Sequence, residues 1–235
     1  MSDLILVHGA GHGAWCWDLV LPELAALGLP ARALDLPGHG QDRTPPADIT
    51  LDLYATAILS RIDRPAVLVG HSAGGFAIAA AAQRRPDLVS RLIYLTAWIP
   101  APGQSLADLR RAARPTALTR ALRPSPDRLT YSFAPETYAD TFAHDAPTDR
   151  IARARANLCP EPVAPHETPL TALPDTPAFA LFCDDDRAIP PALQRAMAHA
   201  IPARRTASLP TSHSPFLSQP QALAQTLARL ATSPA

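Results

Sequence analysis

Short strand-like runs of apolar character alternate along the chain with longer stretches whose apolar residues recur every three or four positions. Leu4–His8, Ala31–Leu36, Ala66–Gly70, Leu92–Thr96, Ala178–Cys183 and Arg205–Leu209 are of the first kind and predict strands buried on both faces, as in a parallel sheet. Trp15–Leu27, Leu51–Arg61, Ala73–Arg84, Ala192–Ala200 and Gln221–Leu230 are of the second kind and predict helices. Pro220 suits the first turn of the last helix, where a missing N–H costs little. The alternation is a βαβ series. It predicts an α/β fold: a mostly parallel sheet of about six strands with helices on both faces. The pattern breaks between Trp98 and about Pro177, in a stretch rich in proline and arginine that carries Phe133, Tyr138 and Phe142. This segment predicts an insertion of short helices over one end of the sheet. The expected division is a core of 1–97 and 178–235 with a lid of 98–177.

Composition narrows the function classes. With 235 residues the chain can bury a sizeable core, and 47% apolar against 18% charged residues suits a compact globule. A formal net charge of zero gives no electrostatic case for a nucleic-acid or anionic-membrane partner. The chain has no lysine, and all 21 cations are arginine. Schiff-base chemistry, a P-loop lysine and a lysine general base are therefore excluded. Cys16, Cys159 and Cys183 are odd in number and lack metal-ligand spacing, which fits free thiols in a reducing compartment and no bound metal. No basic segment followed by an apolar stretch opens the sequence, and no apolar run reaches the ~18 residues of a membrane span. The expectation is a cytoplasmic protein, monomer or homodimer, with no membrane partner.

The first strand runs into a glycine-rich turn, LILVHGAGHGAW at 4–15. Such a turn either cradles a dinucleotide pyrophosphate or presents backbone N–H groups to an oxyanion. Gly9, Gly11 and Ala14 satisfy G-x-G-x-x-A, and Asp35 closes the second strand where a ribose-binding acid would sit. Against the nucleotide, bulky Trp15 and Trp17 stand where a pyrophosphate needs small residues. Asp35 also leads into the tight turn DLPGHGQD, which suits a loop near the rim of a site.

Gly70-His71-Ser72-Ala73-Gly74 decides between the two. It is a G-x-S-x-G placed between a predicted strand and a predicted helix of small residues. There the serine occupies a strained turn at the strand's C-terminal end, and the next residue's N–H faces a developing oxyanion. Such a serine needs a base. His8, His12, His39 and His71 lie in or beside the glycine turns, and any of them can stand near the site. His144, His166 and His199 lack a strand-end setting and read as solvent or lid histidines. His213 falls between the last strand and the last helix, at the sheet edge expected for Ser72. An acid is then required after the preceding strand, where FALFCDDDRAIP offers Asp184, Asp185 and Asp186.

With these segments in place the chain resembles the α/β-hydrolase superfamily, and within it the branch of plant methylesterases, hydroxynitrile lyases and bacterial esterase relatives. The resemblance rests on HGAGHGAWCW, ALDLPGHG, LVGHSAGG, DDRAIP and SHSPFLSQP, spread from Val7 to Pro220. It implies Ser72 as nucleophile, His213 as base, Asp186 as the orienting acid, and the N–H groups of Ala10 and Ala73 as the oxyanion hole. It implies small carboxylic esters as substrates and no cofactor. Trp98, Phe133, Tyr138 and Phe142, with His71, are the expected pocket walls. The lyases of the branch place a threonine where this chain has Gly9, and some place a lysine where it has Ser214. Cyanide would leave without a cationic partner, so ester hydrolysis is the expected reaction. A hydrolase-fold small-molecule receptor with little turnover and a nucleotide-dependent oxidoreductase are the other classes. Multiple turnover of a p-nitrophenyl ester separates the first from an esterase, and NAD(P)H binding identifies the second.

Overall fold

A computed structural model describes residues 3–113, 116–199, 201 and 205–233. The elements in chain order are β1 (Leu4–Val7), α1 (Val20–Ala26), β2 (Ala31–Leu34), α2 (Leu51–Leu59), β3 (Ala66–His71), α3 (Gly74–Arg84) and β4 (Val89–Leu95). Then come α4 (Leu106–Ala112), α5 (Ala117–Ala121), β5 (Leu122–Pro124), β6 (Thr130–Phe133), α6 (Tyr138–Phe142), α7 (Thr148–Asn157), β7 (Glu161–Pro162) and α8 (Ala164–Glu167). β8 (Ala178–Cys183), α9 (Pro191–Ala198), β9 (Thr206–Leu209), α10 (Pro215–Ser218) and α11 (Pro220–Thr232) complete the chain.

Six strands form one sheet in the order β2-β1-β3-β4-β8-β9, every pairing parallel. Every residue of β1 and β3 is buried, as strands covered on both faces require, whereas β2 and β9, also expected to be buried on both faces, lie at the two edges of the sheet and are largely half-buried or exposed. α1 packs with α11 and α2 with α3. The order reverses at β1, whose neighbours are β2 and β3. In open parallel sheets ligands bind outside the strand ends at such a reversal. Val7 pairs with Gly70, so the turn after β1 lies directly beside the turn after β3. Cys183 pairs with Leu209, which brings the loops after β8 and β9 to the same edge.

Two local differences from the sequence reading have physical causes. The helix expected over Trp15–Leu27 is a single 3₁₀ turn at Ala14–Trp17 followed by α1. Pro22 explains the break. In a helix begun at Trp15 it would remove an interior hydrogen bond, whereas in α1 it sits in the first turn. The segment after β4 carries short helices, as expected, but also a three-stranded antiparallel sheet, β5-β6-β7. Strands of two to four residues are too short to show an alternating pattern. The helix expected to end at Ala200 ends at Ala198, and Ala200 lies outside the described residues. No helix among the described residues is long and apolar enough to cross a membrane.

Candidate active site

Ser72 follows β3 with φ of +52°, a left-handed conformation that costs a non-glycine residue about 1–3 kcal/mol and persists only where surroundings enforce it. The enforcement is visible. Ser72 N donates to Leu95 O at 3.2 Å, and Ser72 O accepts from Gly75 N at 3.2 Å and Trp98 N at 3.0 Å. The motif's two glycines are there because backbone passes too close for a side chain. A Cβ on Gly70 would lie 2.7 Å from Gly74 O, and one on Gly74 would lie 2.6 Å from His8 O.

His213 Nδ1 donates to Asp186 Oδ2 at 2.7 Å, with both side chains buried. With its proton on Nδ1, the neutral imidazole keeps the lone pair of Nε2 for another partner. Asp186 is held from all sides. Oδ1 accepts from Ala188 N at 2.7 Å and Ile189 N at 2.9 Å; Oδ2 also accepts from Gln194 Nε2 at 3.1 Å and from Thr96 Oγ1. His71 Nε2 donates to His213 O at 2.9 Å and fixes the histidine loop. Ser72 and His213 line one cavity together with Ala10, Ala73, His71 and Trp98. Among the described residues there is no hydrogen bond between Ser72 and His213. Such bonds often tighten only when substrate arrives.

Ala10 and Ala73 line the same cavity, and among the described residues neither backbone N–H has a hydrogen-bond acceptor. Ala10 N–H is aimed by its peptide's carbonyl. Gly9 O accepts from His12 N at 3.2 Å and from His8 Nδ1 at 2.9 Å, and in a planar trans peptide the N–H points the opposite way. The next carbonyl, Ala10 O, accepts from His12 Nδ1 at 2.8 Å. Both histidines are neutral here. Burial, reinforced by neighbouring histidines, pushes His8 down to about 3 and His12 down to about 4. Burial also holds His71 well below its ordinary 6.5.

Asp35 does not face a nucleotide site. Its Oδ1 accepts from Ala14 N at 2.6 Å and its Oδ2 from Gln41 N at 3.0 Å, which ties the first glycine turn to the loop after β2. Among the described residues no three His, Cys, Asp or Glu side chains converge as a metal site requires.

The Alpha/beta hydrolase family matches residues 4–226. The chain belongs to the α/β hydrolase family. A pyrethroid hydrolase of Sphingobium wenxiniae is 34% identical to this hydrolase over the whole chain and 89% of the relative. Methylesterase 18 of Arabidopsis thaliana is 31% identical over 97% of each chain. The crystal structure of a pyrethroid hydrolase from Sphingobium faniae JZ-2 superimposes with a TM-score of 0.88 over 99% of this chain and 98% of that one, at 31% identity.

Of the wall residues expected from the sequence, His71, Trp98, Phe133 and Phe142 line the cavity of this α/β hydrolase. Tyr138 is a correction. Its ring is fully buried against Phe142, and its hydroxyl donates to His12 Nε2 at 3.1 Å, because the single lone pair of that neutral imidazole faces it. Sequence reasoning missed Leu106, Arg110, Leu118 and Tyr131 as wall residues; His166, read as a solvent or lid histidine, lies in the 98–177 segment and is buried in the wall. Of the three aspartates, Asp184 is exposed and paired with Arg195 at 2.7 Å, Asp185 is exposed, and only Asp186 turns inward.

Gly9 carries a further expectation. A Cβ there would lie 2.8 Å from both His71 Nδ1 and Ser72 Cβ. Gly9→Ala should therefore lower stability in urea unfolding by about 1–3 kcal/mol, the usual cost of overpacking, and reduce activity with it.

Glu161 was not singled out by the sequence, yet its carboxylate lies buried behind the first glycine turn. Oε2 faces His39 Nε2 at 2.8 Å and Oε1 faces His166 Nε2 at 3.0 Å. Burial pushes Glu161 up, but the charges and hydrogen bonds of His39 and His166 override it and hold the carboxyl well below its usual range. Burial pulls His39 down, and Glu161 more than reverses this, so the imidazolium survives above its ordinary 6.5. The Glu161 contribution to stability is present above its ordinary 4.5 and is lost as pH falls through the lower folded value. The His39 contribution is present below 6.5 and is lost as pH rises through the higher folded value. The urea midpoint of the wild type should therefore fall more steeply above pH 6.5 than that of His39→Gln. Equal slopes would contradict the assignment.

Proposed function

We propose that this α/β hydrolase cleaves small carboxylic esters through an acyl-enzyme on Ser72. The observation that carries the reading is the cavity wall itself: Ser72 in its left-handed turn beside His213, whose Nδ1 is bound to buried Asp186. In this reading His213 Nε2 takes the Ser72 proton as Oγ attacks the ester carbonyl. The N–H groups of Ala10 and Ala73 receive the oxyanion, each lowering the barrier by about 3–4 kcal/mol. His213 then gives the proton to the leaving alcohol, takes one from the water that attacks the acyl carbonyl, and returns it to Ser72 Oγ as the carboxylic acid departs. Asp186 keeps the imidazole in the competent tautomer throughout.

Residues 98–177 act as the lid in this proposal. Trp98, Phe133 and Phe142 give the cavity an apolar wall, which suits an uncharged acyl or alcohol group. The names of the relatives support methyl esters and pyrethroid-type esters as the classes to try first. The crowding at Gly9 speaks against a lyase, since no threonine side chain fits there. Free Cys16, Cys159 and Cys183 favour a cytoplasmic setting. The test is steady-state turnover of p-nitrophenyl acetate and butyrate, followed by a panel of methyl, aryl and longer-chain esters. An esterase cycles many times per site; a single burst or no release would support a receptor instead.

A further inference from the structure

Gly11, next in sequence to Ala10, is clasped by the lid on both sides of its backbone. Its N–H donates to Glu161 Oε2 at 2.7 Å, and its carbonyl accepts from Cys159 N at 3.0 Å. Its φ of +67° is one glycine adopts freely, and a Cβ would lie 3.1 Å from both Cys159 O and the Phe133 ring. Both Glu161 oxygens are doubly engaged: Oε2 by Gly11 N and His39 Nε2, Oε1 by His166 Nε2 at 3.0 Å and Tyr54 hydroxyl at 3.4 Å. A buried carboxylate with this many donors is fixed in position.

We infer that Glu161 is a positioning residue for the oxyanion hole: it anchors the Ala10–Gly11 peptide from the lid and so fixes the direction of the Ala10 N–H. The inference rests on the esterase reading and extends it. The two peptides of the turn are held from opposite sides. His8 and His12 pin the carbonyls of Gly9 and Ala10, while Glu161 draws on the N–H that follows. Without Glu161 the Ala10–Gly11 peptide keeps its carbonyl bond but is free to pivot about it. The neighbouring Gly9–Ala10 plane, which bears the oxyanion donor, is then held by the bonds on Gly9 O alone.

The countercharge is also visible in the geometry. His39 Nδ1 faces Pro37 O at 3.1 Å and Nε2 faces Glu161, so both ring nitrogens meet acceptors and the imidazolium satisfies both. His166 Nδ1 instead faces the Tyr131 hydroxyl at 3.1 Å, which can donate to it. The other titratable groups around the pair are His8, whose ring lies 4.8 Å from that of His39 and tilted to it, together with His12, Asp35, Asp42 and Tyr54 from the core and Tyr131 and Cys159 from the lid. A negative charge near a developing oxyanion opposes it, and the His39 imidazolium cancels that opposition.

The test compares wild type, Glu161→Gln and His39→Gln with p-nitrophenyl acetate, with an alkylboronic acid that forms a tetrahedral serine adduct, and with the carboxamide of matching chain. Misplacing a catalytic group by about 1 Å costs about 100-fold, so kcat in Glu161→Gln should fall about 10–100-fold with KM within about threefold. Boronate affinity should fall by a similar factor while carboxamide affinity is unchanged, because only the tetrahedral adduct places an oxygen in the hole. A kcat within twofold of wild type, or a parallel loss of boronate and carboxamide affinity, overturns the proposal. If Glu161→Gln does not fold, Glu161→Asp carries the same test, since the shorter carboxylate keeps the charge that faces His39 but withdraws from Gly11 N; His39→Gln keeps the Gly11 bond, so a loss in it as large as in the Glu161 variants overturns the anchoring role. Ser72→Ala in the same assays keeps the two readings apart. Wild-type turnover that Ser72→Ala loses retains the esterase even where Glu161→Gln behaves as wild type, and a wild type without such turnover removes both.

Discussion

Ser72→Ala is expected to reduce kcat for ester hydrolysis to less than about a hundredth of wild type, since loss of a nucleophile typically costs far more than that. The fold should survive. Alanine meets the same penalty at φ of +52° as serine, and the turn is held by the backbone bonds of residue 72 to Leu95, Gly75 and Trp98, not by the hydroxyl. Circular dichroism and the urea midpoint should match wild type. Activity above a hundredth of wild type, in protein free of contaminating esterase, would remove Ser72 from the mechanism.

The second large effect is expected at Asp186. Asp186→Asn should lower kcat by about 10²–10⁴, the scale seen when an orienting carboxylate becomes an amide and the imidazole loses its proper tautomer. The environment adds a stability cost. Both oxygens of Asp186 accept only from donors, so one end of an asparagine amide must face a donor with a donor. That mismatch should lower unfolding free energy by about 1–3 kcal/mol, while KM stays near wild type. Asp184→Asn loses an exposed pairing with Arg195, and Asp185→Asn changes an exposed side chain. Each should stay within about tenfold of wild type, since surface changes of this kind have small effects. A large loss in Asp184→Asn with none in Asp186→Asn would reassign the acid and leave the serine and histidine in place.

What could be read along the chain was what lies close along the chain. The strands announced themselves because a buried parallel strand is a continuous apolar run, and the serine turn because its glycines stand two residues either side of Ser72. Pro22 could have located the break between the 3₁₀ turn and α1, since a proline that deep in a helix is costly. The segment 98–177 resisted for a different reason. Its strands are two to four residues long, and its contacts to the core join partners far apart in sequence. Glu161 reaches Gly11 across 150 positions and Tyr54 across 107, so no local pattern marks it. His12 and His8 stood in view beside the glycines, but that their ring nitrogens orient the turn's carbonyls follows only from geometry.

The proposed mechanism places the whole reaction on one serine. The most direct measurement is stoichiometric labelling with an alkyl fluorophosphonate, which reacts with activated serines, followed by peptide mass mapping alongside residual p-nitrophenyl acetate turnover. One adduct per chain is expected, on the peptide containing Ser72, with turnover falling in proportion to labelling and no adduct in Ser72→Ala. Full turnover in protein completely labelled at Ser72, or turnover lost through an adduct elsewhere while Ser72 stays unmodified, would contradict it.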